Sequence, residues 1–327
     1  MKPIIIIGYG PVGALLSLLL AQNQIPVIAI ECSTSYPDEP RAVGLFGPSH
    51  HVLQDAGVYD EASKQGMPSA GLVYRKRAVD NGCGGQRMGD IIVRAPLSEE
   101  MDGQYAPGAY FMLLPQAKLV KIIAQKMQTP KLAQFATVHL GYKYISSEET
   151  DAGVTVKAED DKGSTHVIEG IYLVGADGSH SEVRRQLGLK LHGTSWPDRL
   201  ISTDVMRTID EIPEIPSSMV VDPDIWAAIT PLEVVYPGKP GLWRYSMAVS
   251  DKSVPDEQLR DPQFVDMYLR KHLDGPYGQE YKIIRHKPYR MHQLLCTAMR
   301  KGKTFLAGDA AHINNVSHSL FYVLSIH

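Results

Sequence analysis

The segment Gly8-Tyr9-Gly10-Pro11-Val12-Gly13 constrains this chain more than any other, because its glycines stand directly after an apolar run and directly before a stretch of helix formers. Lys2–Ile7 reads as a strand buried on both faces, Val12–Gln22 has the length of a crossover helix, and Val27–Ile30 supplies a second strand. A βαβ unit of this kind winds right-handed, which places the two strands side by side in a parallel sheet. Each glycine then has a physical task. Gly8 permits the tight turn, and Gly10 lets the backbone approach a pyrophosphate. Gly13 lets helix and strand pack closely, while Pro11 and Val12 open a helix whose amides and positive dipole face the anion. Glu31 closes the second strand, where an acid accepts from a ribose hydroxyl. The pattern predicts a bound dinucleotide and leaves NAD and FAD both open.

The apolar run is not a signal peptide or a membrane span. Glycines and Pro11 interrupt it, and Gln22-Asn23-Gln24 offers no small-residue cleavage site. The 327 residues, 44% of them hydrophobic and 21% charged, suffice for one large or two ordinary domains. With 33 Lys and Arg against 36 Asp and Glu, the formal charge of −3 leaves no basic excess for nucleic acid or for an anionic membrane face. Cys32, Cys83 and Cys296 are odd in number and far apart, which argues against a disulfide framework or a zinc site and for a reducing, cytoplasmic setting. No histidine sits in an HExxH spacing, so no metal is expected, and no GxSxG elbow marks a serine hydrolase.

Between about Gly71 and Gly108 the composition shifts to Gly, Arg and Asp, an excursion out of the first sheet. Leu114–Met127 returns as an amphipathic helix, and Thr137–Tyr144, Val154–Ala158, His166–Glu169 and Ile171–Val174 read as strands. Leu200–Arg207, Met219–Val221, Glu233–Tyr236 and Leu242–Val249 read as strands of a second, antiparallel sheet. The expected fold is α/β: a doubly wound, Rossmann-like nucleotide domain from residues 1–72, 109–189 and 290–327, and a mainly antiparallel β substrate domain from 73–108 and 190–289. Trp196, Tyr236, Trp243 and Tyr245 fall in that second sheet and read as core before substrate contacts.

Two later segments carry a family resemblance. Tyr172-Leu173-Val174-Gly175-Ala176-Asp177-Gly178-Ser179-His180-Ser181-Glu182-Val183-Arg184 resembles the Asp-Gly motif of the FAD-dependent aromatic hydroxylases, the group of p-hydroxybenzoate and phenol hydroxylases. Lys303 to His312, with Gly308-Asp309 at its centre, resembles the same family's Gly-Asp motif. Three motifs in the family's order cover nearly the whole chain. The resemblance implies FAD as the resident cofactor, NAD(P)H as a transient reductant, and hydroxylation of a small phenolic molecule with O2. It implies that Asp309 holds the ribityl chain beside Gly308, and that Asp177 and Arg184 serve the flavin and reductant paths. It further implies that Arg41, followed by Ala42, lies near the pyrophosphate and that Gln116 contacts the cofactor. Asp309 and Gln116 could equally be an ordinary helix cap and a solvated side chain. No catalytic base is named, and the oligomeric state stays open.

Family members continue after the Gly-Asp motif with a proline and a glycine-rich stretch, whereas this chain reads Val316-Ser317-His318 and ends at His327. Because Val-Ser can be encoded by the consensus start of an intron, residues from Val316 onward are expected to be translated intron. A naturally shortened paralogue is the alternative. A non-catalytic flavoprotein remnant, or a flavin-dependent reductase or dehydrogenase of the same fold, therefore stands beside the hydroxylase reading.

Overall fold

Isoleucines alternate outward from the first strand into two separate cores, and this is why the run carries no polar face. In the computed structural model, which describes residues 1–38, 44–45, 47–69, 71–96, 110–276 and 280–314, Ile4–Ile7 lies inside a six-stranded sheet. Its order is Ala136–Leu140, Val27–Glu31, Ile4–Ile7, Tyr172–Gly175, Thr304–Leu306, Arg300–Lys301. The first five strands are parallel, and Arg300–Lys301 closes the edge antiparallel. Ile6 and Ala29 point to the helices Pro11–Gln22 and Gln116–Met127, meeting Leu15, Leu18, Leu119 and Ile123. Ile5, Ile7 and Ile30 point the other way, to Tyr144, Val154 and Val156 of the antiparallel sheet Lys143–Thr150, Gly153–Glu159, Thr165–Gly170. Each such side chain contributes about 1.5–3 kcal/mol by leaving water.

The second sheet has eight strands in the order His312–Ile313, Tyr281–Cys296, Leu191–Thr208, Pro240–Val249, Ala227–Pro231, Ser218–Val220, Gly71–Arg75, Ile91–Pro96. All pairs are antiparallel except Ser218–Val220 with Gly71–Arg75. One face packs Ile201, Val205, Trp243, Tyr245 and Met247 against the helix Pro262–Leu269. Trp243 and Tyr245 are thus core residues.

Three features depart from the sequence reading. Glu233–Tyr236 is not a strand. Val234 and Tyr236 are 39% and 58% exposed, and the strand is instead Ala227–Pro231, buried at all five positions. The expected 137–144 strand breaks at Gly141, which takes a φ of 77° and separates Ala136–Leu140 from Lys143–Thr150. Residue 290 falls inside Tyr281–Cys296, a polar strand whose described outer edge is paired only at Leu294 and Leu295, with Ile313 and His312. A half-solvated edge needs no apolar alternation, so the composition hides the strand. Arg41, Ala42 and Val316–His327 lie outside the described residues.

A Cβ on Gly13 would collide with the Gly8 carbonyl oxygen and press on Ile6. Gly13→Ala is therefore expected to cost about 1–3 kcal/mol of stability, the scale of an overpacked core, measured as a lower urea midpoint at unchanged slope. An unchanged midpoint would contradict this packing.

Candidate cofactor site

Four loops leave the sheet at the carboxyl ends of adjacent parallel strands, and they carry most of the residues singled out above. The order runs from Glu31, ending Val27–Glu31, through Gly8 after Ile7 and Asp177 after Gly175, to Gly308-Asp309 after Leu306. Backbone bonds hold the loops in register: Gly8 N donates to Ile30 O at 2.8 Å, Ala176 N to Ile7 O at 2.7 Å, and Ala307 N to Gly175 O at 2.9 Å. The chain winds outward in opposite directions from Ile4–Ile7, so the Gly8 turn sits where an open α/β sheet binds ligands.

The three motif glycines are glycine for different reasons. Gly8 has a φ of 97°, and any Cβ there would overlap the Ala176 carbonyl. Gly13 is pressed against the same turn. Gly10 has φ −69° and ψ −174°, a conformation open to every residue, and a Cβ on it would meet nothing within 4 Å. Nothing among the described residues requires glycine at this position. Space kept clear at a helix N-terminus, before Pro11 at the first helical position, fits a pyrophosphate.

Glu31 fixes the same turn. Its Oε2 accepts from Tyr9 N at 2.9 Å, and its Oε1 accepts from Ser33 N at 2.9 Å and from Cys32 Sγ at 3.2 Å. Burial works against ionisation, but the amides of Tyr9 and Ser33, with Cys32 and the Ser33 side chain, prevail and lower its pKa. An ionised carboxylate with two backbone amides still has capacity to accept from ribose hydroxyls.

Asp177 divides its carboxylate. Oδ2 accepts from Glu182 N at 2.8 Å and Val183 N at 3.2 Å, opening the helix Glu182–Gln186, while the buried Oδ1 meets no donor among the described residues. An acceptor left bare beside the Gly8 turn fits a cofactor hydroxyl. Arg184 is 7% exposed and turns inward, donating from Nη1 to Ala310 O at 3.0 Å and from Nη2 to Ser179 O at 2.7 Å. It thereby clamps the Asp-Gly loop to the Gly-Asp turn, an architectural task that sequence alone did not reveal.

Gly308 takes a φ of 60° and lies against Val12, so the Gly-Asp turn packs on the first helix. Asp309 is exposed within the one-turn helix Gly308–Ala310, whose cap is Ala307, and so Asp309 is not the cap itself. Gln116 is the first residue of its helix. A cleft of about 580 Å³ lined by Gln22, Lys126 and Leu132 opens at the opposite end of the sheet and holds none of these residues. Among the described residues no group of three His, Cys, Asp or Glu could hold a metal ion, and no helix is long and apolar enough to cross a membrane.

The model of a family described as FAD binding domain matches residues 1–320. The chain belongs to this family. It is 28% identical over 313 residues to para-nitrophenol 4-monooxygenase of Pseudomonas sp. strain WBC-3, covering 95% of this chain and 72% of that protein. It is 29% identical over 312 residues to the 3-(3-hydroxy-phenyl)propionate/3-hydroxycinnamic acid hydroxylase of Mycobacterium sp. strain JLS, covering 95% of this chain but 49% of that protein. Among solved structures, p-nitrophenol 4-monooxygenase PnpA from Pseudomonas putida DLL-E4 superposes with a TM-score of 0.82 at 25% identity, over 98% of this chain and 75% of that one. Aklavinone-11 hydroxylase, solved with FAD and aklavinone, shares the fold with a TM-score of 0.77 at 21% identity, over 96% of this chain and 58% of that one. FAD, rather than NAD, is the cofactor of this fold, and the relatives are aromatic monooxygenases.

Two outcomes follow from the site. Gly10→Ser introduces a favoured helix cap into open space and should leave apoprotein stability within about 0.5 kcal/mol, yet weaken FAD about tenfold or more by filling the cradle. Flavin fluorescence titration beside a denaturant melt reads both, and equal FAD affinity would contradict the assignment. Because the folded-state pKa of Glu31 is lowered, its stabilisation is present above the unfolded carboxyl range and is lost as pH falls through the folded value. Glu31→Gln should therefore flatten part of the acid-side decline in melting temperature, and an unchanged pH profile would contradict the bracing of this turn.

Proposed function

We propose that this chain hydroxylates a small phenolic molecule, using FAD reduced by NAD(P)H and consuming O2. The observation that carries the reading is the FAD-binding family match over residues 1–320, together with the open side of Gly10 between Glu31 and the bare Oδ1 of Asp177. FAD supplies the redox chemistry, accepting hydride and delivering oxygen. The protein's part is to bind, orient and keep the ring dry. Gly8, Gly10, Pro11, Val12 and Gly13 hold the pyrophosphate, Glu31 the ribose, and Asp177 a cofactor hydroxyl. Gly308 and Asp309 face the ribityl chain, and Arg184 holds their turn in place. Arg41, Ala42 and Gln116 complete the cofactor's surroundings. On this reading the six-stranded sheet forms the FAD domain and the eight-stranded sheet the substrate domain, with the last division falling beyond Tyr281–Cys296 rather than at residue 290. Free cysteines at 32, 83 and 296 support a reducing, cytoplasmic location.

The test is to purify the chain, record its flavin spectrum, and follow NAD(P)H oxidation with and without phenols while analysing products by mass. A yellow protein that adds one oxygen atom to a phenol is expected. Oxidation of NAD(P)H without an oxygenated product would mark a reductase instead. A colourless protein that binds NADH but no FAD would overturn the reading altogether.

A further inference from the structure

The cleft of about 580 Å³ at the far end of the six-stranded sheet takes no part in the cofactor site, yet it has the size of a small-molecule pocket. It lies where two helices end. Pro11–Gln22 starts at the Gly10 turn and brings Gln22 to the cleft, and the last turn of Gln116–Met127 brings Lys126. The short helix Pro130–Ala133 adds Lys131 and Leu132, and Phe135 follows it.

The lining is cationic on one side and apolar on the other. It holds no acid, and neither the Lys126 nor the Lys131 ammonium has a hydrogen-bond or ion-pair partner among the described residues. Each of the two helix carboxyl ends sets about half a negative charge against them, so the two lysines leave about one net positive charge. Ala21 and Leu132 are buried, and Phe135 packs beside them as a partly buried ring. Gln22 Nε2 donates to Ala56 O at 2.9 Å and Gln134 Nε2 to Lys131 O at 3.0 Å, which leaves both Oε1 atoms as acceptors.

Gln24, on the rim, stands where a helix end usually has glycine. Gln24 N donates to Ala21 O at 3.0 Å and Ile25 N to Leu20 O at 3.0 Å, closing the helix with Gln24 at a φ of 59°. Among the described residues no other side-chain-bearing residue takes a positive φ. The chain thus carries a long amide at a position where its Cβ is a conformational cost.

We propose that this cleft binds a small organic monoanion with a flat apolar body, at a site separate from cofactor and substrate. The anion meets Lys126 and Lys131, the apolar body lies against Leu132 and Phe135, and the Gln24 side chain closes the rim. The site needs only the fold, and so it stands whether or not the chain hydroxylates phenols.

Hydrogen exchange read by mass spectrometry on the FAD-loaded full chain, with benzoate as the probe, locates the ligand without turnover. Millimolar benzoate should slow exchange severalfold in residues 20–27 and 126–136. Benzamide, which lacks the charge, and acetate, which lacks the ring, should leave both segments unchanged. Combining Lys126→Gln with Lys131→Gln should abolish the protection while the flavin spectrum and urea midpoint are kept. Gln24→Gly should raise the urea midpoint by relieving the left-handed turn, yet require about tenfold more benzoate for the same protection, the scale of one lost hydrogen bond. Unchanged exchange in the wild type, equal protection by benzamide or by acetate, protection that survives in the double variant, or undiminished benzoate binding in Gln24→Gly would each overturn the proposal. Protection confined to the cofactor loops or the eight-stranded sheet would overturn it as well, by assigning benzoate to the substrate site.

Discussion

At the carboxyl end of Ile4–Ile7 the backbone turns with Gly8 at a φ of 97°, so close to Ala176 on one side and to Gly13 on the other that no side chain fits. Every other part of the cofactor site hangs on this turn. The amide of Tyr9 reaches the Glu31 carboxylate only because the turn brings it there, and Gly308 rests on Val12 of the helix that the turn starts. The helix can begin at once because Gly10 is extended and Pro11 has its φ already fixed. Backbone groups rather than long side chains therefore define the site, which makes its shape insensitive to rotamer choice.

Electrostatics reinforce the same geometry. Glu31 and Asp177 each use part of their carboxylate on backbone amides, which orients them before any ligand arrives. Pre-oriented acceptors lose little entropy on binding. Arg184 plays the complementary role on the donor side. Its buried cation is met by two carbonyls, one from each of the loops that carry Asp177 and Asp309. A charge buried this way would be costly without them.

The parallel core was legible because its signals are local. A glycine pattern, an apolar strand and an acid at the next strand's end all lie within residues 4–31, and each answers to one physical need. What escaped was set by distant partners. Tyr281–Cys296 reads as polar because much of its outer edge meets no strand among the described residues, and Ala227–Pro231 reads as featureless because both of its faces are buried. The buried pairing of Asp204 with Arg244 could not be seen either, since two strands must be aligned before these side chains become neighbours. For Arg184 the motif was visible and the direction was not. Only the fold shows that the guanidinium turns toward Ala310 and Ser179.

The central claim is that the open side of Gly10 is where the FAD pyrophosphate lies, with the ribose at Glu31. A crystal structure of the FAD-loaded chain tests this most directly. The account predicts the pyrophosphate against the Gly10 amide, the adenosine ribose hydroxyls on Glu31, and a cofactor hydroxyl on the Oδ1 of Asp177. Density for FAD elsewhere, for example in the cleft beside Gln22 and Lys126, with the space above Gly10 still clear, would contradict it.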